Sequence, residues 1–408
     1  MRVLFLSRRF FPTISGMSAY ALNLLRELVR HDLDVTLIAQ YRGDARGITV
    51  YGGGPPAAVP GVKVLGAESL GEVAGGDFER DIEALVQLGL REHAIQPFDL
   101  VHAQYGYPTG LAALELSRRT GIPNVVSIQG GDGHWVGTCC DYHRRAMQAV
   151  LDHAGAILIG SRSFADEVRS HNGTELGRFT FVPGAVDTTR FRPREGRALG
   201  ELEDAAAPHW LFHGRVDARK GALDLVEAFA LVPAPARLTI SGIGPDRDRA
   251  VARVRELGLE HRITLPGYVA YADVPNVYPR HDLFVSPTYA EGFSNTILQA
   301  MASGLPVLST RAVGVVDCVR HDDNGWLVEP QDVPGLAAAM RLLGTDAKLR
   351  NRFATAAHAE VLGTYAWSEV GRQIVGVYEA LRGSRPNDAW SLPQVDTHCR
   401  YRENPQLL

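Results

Sequence analysis

Several stretches of this sequence carry residue types that could do chemistry together. The first runs Ser286-Pro-Thr-Tyr-Ala-Glu291-Gly292-Phe293-Ser294-Asn295 and leads into Thr-Ile-Leu-Gln299-Ala-Met-Ala-Ser-Gly304. Ser294 or Asn295 can cap a helix that stops at Gly304, so Glu291 stands just before a helix N-terminus. The unpaired amides and the dipole at such an end suit a phosphate. Gln299 lies about one turn into the helix and can face the same space as Glu291. The two could hold sugar and ribose hydroxyls beside a diphosphate. Taken alone, the segment fits equally well a plain loop carboxylate and a solvated helix residue.

A second stretch, His213-Gly214-Arg215-Val-Asp-Ala-Arg-Lys220-Gly221, ends one strand and begins a helix. It presents a guanidinium and an ammonium five residues apart, and two such cations match a diphosphate. The chain has three lysines in all, Lys63, Lys220 and Lys348, so one at this junction is informative. Gly242 and Gly244, in Ser241-Gly242-Ile-Gly244-Pro245, are counted with the donor side. They are not half of a dinucleotide fingerprint, because Arg247 occupies the third glycine position, and no GxxxxGK[ST] stretch occurs. Asp246-Arg-Asp248 looks like a metal-binding DxD but falls where a helix needs a cap, and we read it as the cap. Ser15-Gly16, after the first strand, lets backbone approach a ligand closely.

These groups need a scaffold whose strand ends meet. The apolar runs Arg2 to Ser7, Asp34 to Ala39, Asp99 to Ala103, Asn124 to Ile128, Ala156 to Gly160 and Phe179 to Val182 read as strands. Amphipathic helices alternate with them near Ser18 to Val29, Phe78 to His93 and from Thr109. A second series has strands at Trp210 to His213, Arg237 to Ser241, Ile263 to Leu265, Asp282 to Ser286, Val307 to Thr310 and Trp326 to Val328. Alternation of this kind means parallel sheet with helices on both faces. Charged residues without periodicity at 191–208 read as a linker between domains 1–190 and 209–364. The polar tail, 383–408, reads as a surface extension. Two open α/β sheets facing each other would leave a cleft at the carboxyl ends of their strands, the usual ligand site.

With 408 residues, 45% hydrophobic and 22% charged, the chain has the composition of a globular protein with two cores. The net charge of −4 gives no overall attraction to nucleic acid, which is excluded as the expected partner. Peripheral membrane contact and oligomeric state stay open. Cys139, Cys140, Cys318 and Cys399 include no CxxC spacing, so no metal site and no disulfide framework is expected. The first residues are interrupted by Arg8 and Arg9 too soon for a signal-peptide core, and no apolar run reaches about 18 residues. A cytoplasmic chain that does not span a membrane is expected.

In this order the residues resemble the retaining glycosyltransferases of family 4, which have the GT-B fold of two facing Rossmann-like domains. The resemblance runs from residue 1 to about Leu381. It rests on Glu291-Gly-Phe-Ser-Asn-Thr-Ile-Leu-Gln-Ala-Met-Ala-Ser-Gly-Leu-Pro-Val, on Gly214-Arg215 with Lys220-Gly221, and on Val182-Pro-Gly-Ala-Val-Asp-Thr-Thr-Arg-Phe191. It implies that Arg215 and Lys220 stabilise a departing nucleoside diphosphate with no metal or other cofactor, and that Glu291 holds sugar hydroxyls. It further implies that the amides of Gly292, Phe293, Ser294 and Asn295 lie near sugar and phosphate, and that Gly16 approaches the diphosphate across the cleft. A late helix, about 365–382, would return to the first domain. The sugar would move with retention, the leaving phosphate helping to deprotonate the acceptor.

Two positions depart from the family pattern. Gln299 stands where a second Glu usually holds the ribose, and Gln129-Gly130-Gly131-Asp132 stands where His-Gly is common. His134 could supply an imidazole, Asp132 a carboxylate and Trp135 an apolar face, so the acceptor is expected around residues 129–135. The expected partners are a nucleotide-sugar donor and a carbohydrate, lipid-linked or natural-product acceptor. Two other readings remain: a GT-B epimerase or hydrolase that releases free sugar, and a sugar-nucleotide-binding protein without catalysis, for which Gln129 and Gln299 speak.

Overall fold

Runs of buried aliphatic and aromatic residues form the strands. The chain is described by a computed structural model covering residues 1–43, 52–71, 76–392 and 399. It divides into two units, Met1–Pro183 with Trp367–Leu408, and Gly184–Ala366.

Unit 1 contains β1 (Arg2–Ser7), β2 (Asp34–Tyr41), β3 (Val62–Glu68), β4 (Leu100–Gln104), β5 (Asn124–Ile128), β6 (Ala156–Ile159) and β7 (Phe179–Phe181). All pair in parallel in the order β3-β2-β1-β4-β5-β6-β7. Central strands β4 and β5 are buried along their whole length, as parallel strands covered on both faces must be. Strand β3 was not among the expected elements. It is an edge strand, buried at none of its residues, and so lacks the continuous apolar run of its neighbours.

Unit 2 contains β8 (His209–His213), β9 (Arg237–Ser241), β10 (Ile263–Gly267), β11 (Leu283–Ser286), β12 (Val307–Thr310) and β13 (Trp326–Val328), parallel in the order β10-β9-β8-β11-β12-β13. Successive strand residues feed opposite layers. Trp210 and Leu283 pack with Phe229 and Met340, while Leu211 and Phe284 pack with Met301 and Tyr278. In each unit the strand order reverses once, between β1 and β4 and between β8 and β11. Ligands of doubly wound sheets bind outside the carboxyl ends of the strands at such points.

The boundary differs from the expected one. It falls after Pro183 rather than at 190, and 191–208 is no free linker. Asp282 gathers that stretch onto unit 2: it pairs with Arg197 and accepts from the amides of Glu203 (2.9 Å) and His209 (2.8 Å). Arg350, itself buried, donates to the Gly200 carbonyl at 3.1 Å. Of the charged side chains in this stretch, Arg197 reaches the buried Asp282, while Arg192, Arg194, Glu195, Glu201, Glu203 and Asp204 stay exposed.

The last helix, Trp367–Leu381, belongs to unit 1. Trp367 meets Tyr20 edge to face at 5.0 Å, and the Tyr378 hydroxyl lies 2.5 Å from His102 Nδ1. The tail is not simply a surface extension. Trp390 receives the Arg118 guanidinium on its ring at 4.7 Å, and Cys399 is buried. Residues 393–398 and 400–408 of that expectation lie outside the described residues. Among the described residues no helix is long and apolar enough to cross a membrane.

Candidate active site

In unit 2 the chain leaves β8 at His213 and enters a tight turn. Asp217 closes it, accepting from the Lys220 amide at 3.0 Å. Its other oxygen lies 3.1 Å from Arg215 Nε and 3.5 Å from Arg219. Asp217 therefore aims two guanidinium groups while it caps the turn. The residue was passed over in the sequence, although an Asp three positions before Lys220 is a turn signal. Gly242 and Gly244, expected on the donor side, pack tightly against the turn after β8. A Cβ on Gly242 would stand 1.8 Å from the Gly214 carbonyl oxygen, and one on Gly244 would stand 2.2 Å from that of Val216. Their bareness lets the loops after β8 and β9 interlock.

The loop after β11 is stitched to that turn. The Tyr289 amide donates to the Arg219 carbonyl at 2.8 Å, and the Tyr289 hydroxyl donates to Asp224 at 2.6 Å. From the other side, the Glu291 amide donates to the Val313 carbonyl at 2.9 Å. The outcome is that Lys220 Nζ lies 2.6 Å from Glu291 Oε1, with side chains 29% and 14% exposed. Arg215, Arg219 and Lys220 against Asp217 and Glu291 leave this cluster one positive charge in excess (three minus two).

The helix that follows spans Asn295–Ala302. Ser294 holds the cap position, yet its side chain accepts from no first-turn amide. Phe293 packs on Tyr365 at 5.5 Å. Gln299 is half-buried, and its carbonyl accepts from the Tyr278 hydroxyl at 2.8 Å. Tyr278 is fully buried and was not anticipated. Asp246 occupies a cap position as expected, but its carboxylate accepts from Arg249 at 2.6 Å instead of capping backbone. His213 sits by Ser241 (Nδ1 to Oγ 3.2 Å), and burial pushes its imidazole down to about 4, so it is a neutral ring rather than a titrating base.

At the matching point of unit 1, Gly16 begins the first helix, with Ser15 capping it. A Cβ on Gly16 would meet nothing within 4 Å, so its backbone is open to approach. Beneath it runs a polar chain. Ser7 donates to Gln104 at 2.7 Å, and the Gln104 amide donates to the Met17 carbonyl at 3.0 Å and to Gln129 Oε1 at 2.8 Å. Gln129 also bonds the Tyr20 hydroxyl, whose burial raises its pKa.

The loop 129–135 needs two corrections. Asp132 is fully buried, and its carboxylate accepts from the amides of Gly106 (2.8 Å), Gln129 (3.1 Å) and Gly130 (2.9 Å). It shapes the loop and is not placed to touch an acceptor. Burial raises its pKa, and these amide bonds oppose the rise. His134, 6% exposed, is also turned inward: Nδ1 lies 2.8 Å from Glu167, and the ring packs on Phe164 at 4.6 Å. Trp135 is 37% exposed and offers the apolar face that the sequence suggested. Gly130, where a Cβ would meet nothing within 4 Å, is open beside it in the chain; Gly131 begins the short Gly131–His134 helix.

Comparison with known proteins agrees with both halves. Residues 207–346 match the family model described as glycosyl transferases group 1, and residues 15–185 match the glycosyl transferase 4-like domain. The chain is 26% identical over 335 residues to a glycogen synthase of Mycobacterium tuberculosis, covering 77% of each. It is 26% identical over 407 residues to a D-inositol 3-phosphate glycosyltransferase of Xylanimonas cellulosilytica, covering 91% of this chain and 93% of that one. Among solved structures, a sucrose-phosphate synthase from Thermosynechococcus elongatus is similar with a TM-score of 0.77 at 22% identity, covering 93% of this chain and 98% of that one. HepE of Anabaena, solved with UDP and glucose, has a TM-score of 0.74 at 18% identity, covering 93% and 100%.

Proposed function

Because the chain belongs to the family 4-like glycosyltransferases and has their two-domain α/β GT-B fold, we propose that it moves a sugar from a nucleotide-diphosphate sugar to a carbohydrate, lipid-linked or natural-product hydroxyl, with retention and without a metal ion in the transfer step. The observation that carries this reading is the Lys220–Glu291 pair, 2.6 Å apart beside Arg215 at the strand-order reversal of unit 2.

A diphosphate is a dense anion, and Lys220 has three N–H donors to divide between Glu291 and a phosphate oxygen. Arg215 adds a planar fork, and the amides opening the Asn295–Ala302 helix add a dipole of the same sign. These charges act most where negative charge grows, on the oxygen that leaves C1. Glu291 keeps a second oxygen for a sugar hydroxyl. In the step itself the C1–O bond to phosphate breaks, and the acceptor oxygen bonds C1 on the same face. The acceptor proton passes to the departing phosphate. Trp135, with the open backbone at Gly130, is the proposed acceptor contact, while Gln129, Asp132 and His134 hold its loop in shape.

HepE has been solved with UDP-glucose as well as with UDP, which supports testing uridine nucleotides first. A thermal-shift screen of UDP, GDP, ADP, TDP and their sugars identifies the donor, since a ligand at about 100 times its Kd stabilises by about 2.7 kcal/mol. Transfer is then followed with EDTA present. Stabilisation by one nucleotide series and transfer that survives EDTA are expected; transfer abolished by EDTA and restored by Mn²⁺ overturns the metal-free step.

A further inference from the structure

Away from this site, three potential ligands enter one helix together. Cys139 and Cys140 precede the Asp141–His153 helix, and His143 lies in its first turn. Cys140 holds the cap position, and its Sγ accepts from the His143 amide at 3.5 Å, which folds the thiol back over that turn. Cys399 comes from the far end of the chain, 256 residues beyond His143, and is buried against the same ring. His143 Nδ1 lies 3.2 Å from Cys139 Sγ, 3.3 Å from Cys140 Sγ and 3.4 Å from Cys399 Sγ. The donor atoms of all four residues lie within 4.8 Å of one another.

The nitrogen–sulfur separations are close to what one tetrahedral ion requires. With Zn–S about 2.3 Å and Zn–N about 2.0–2.1 Å, nitrogen and sulfur stand about 3.5 Å apart and two sulfurs about 3.8 Å. The shell around the cluster is aromatic: Tyr107 meets the His143 ring at 4.6 Å and Tyr142 at 5.5 Å. Such a wall limits water access to a bound ion. All four cysteines of the chain are free thiols, so none of these three is committed to a disulfide. The rule that argued against a metal looked for neighbouring CxxC pairs, whereas here the fold assembles the set.

We propose that Cys139, Cys140, His143 and Cys399 bind one zinc ion in a closed Cys₃His site that clips the C-terminal segment onto unit 1. Three thiolates and an imidazole suit zinc rather than magnesium or calcium. Four protein donors complete the tetrahedron and leave no position for water or substrate, so the ion is structural and takes no part in transfer. Binding releases the three thiol protons, so affinity rises with pH. Only three residues separate Cys139 from Trp135, and the ion therefore also anchors the end of the proposed acceptor loop.

The test uses the full chain, purified under reducing conditions without chelator. Mass spectrometry of metals is expected to find about one zinc per chain. The metal-stripped protein titrated anaerobically with Co²⁺ is expected to give thiolate charge-transfer absorption and the intense visible bands of a tetrahedral site. Cys399→Ser is expected to weaken zinc binding by at least about tenfold, the loss that even an outer partner can cause. It is also expected to open the segment after Leu381 to limited proteolysis while the circular dichroism stays that of the wild type. Should that variant fail to fold, His143→Gln with the same cobalt readout replaces it. The proposal is overturned if the reduced wild-type chain takes up neither zinc nor cobalt, if the variant titrates like the wild type, or if peptide mapping without reductant finds a disulfide among Cys139, Cys140 and Cys399.

Discussion

Lys220 Nζ and Glu291 Oε1 are 2.6 Å apart although the two residues are 71 positions apart in the chain. One ends the turn after β8 and the other the loop after β11, so the pair joins the two strands between which the order of unit 2 reverses. Groups in such contact should not act independently. Lys220→Met and Glu291→Gln, singly and together, are expected to show a coupling of about 0.5–3 kcal/mol in transition-state stabilisation. Strict additivity in kcat/KM would separate their roles and count against a shared site.

Gln299 is expected to tolerate a carboxylate. Its carbonyl already accepts from the Tyr278 hydroxyl, and a carboxylate would accept that bond and still have an oxygen for ribose. Gln299→Glu should keep or tighten donor affinity in a calorimetric titration. A donor bound more than about tenfold more weakly, or about 1.4 kcal/mol, refutes the ribose role.

Loop 129–135 separates shape from contact. Asp132→Asn leaves one oxygen to serve three amides, and the stability loss is expected to be about 1–3 kcal/mol in denaturant melts. Trp135→Ala should instead lower transfer with donor affinity unchanged. If Trp135→Ala transfers as well as wild type, the acceptor is held elsewhere.

Acid should destabilise unit 1 through His102. Burial moves its pKa from 6.5 down to about 3, so the folded ring stays neutral while the unfolded one protonates below 6.5. The unfolded chain then binds the extra proton, and stability falls as pH drops from 6.5 towards 3, by about 1.4 kcal/mol per pH unit. Above the unfolded value the ring contributes no slope. His102→Gln should flatten the acid limb of stability measured by urea melts across this window; an unchanged slope contradicts the assignment.

Much of this arrangement could be read beforehand, for a physical reason. Buried parallel strands such as β6 are unbroken apolar runs, and a glutamate followed by glycine and a helix start is a local signal. What escaped notice depended on partners distant in sequence. Strand β3 is a partly exposed edge strand whose paired strand among the described residues is β2. Asp132 looked catalytic because the Gly106 amide it binds lies 26 residues away. Asp282 and Arg350 turned a charged stretch into packed structure, and no local spacing could announce Cys399 beside His143.

The central claim is that Lys220 stabilises the departing diphosphate, and kcat for the donor identified by the screen tests it most directly. Lys220→Ala is expected to lower kcat by about 10²–10³, the loss seen when one preorganised donor to a developing charge is removed. A Lys220→Ala enzyme that turns over at the wild-type rate would contradict the account.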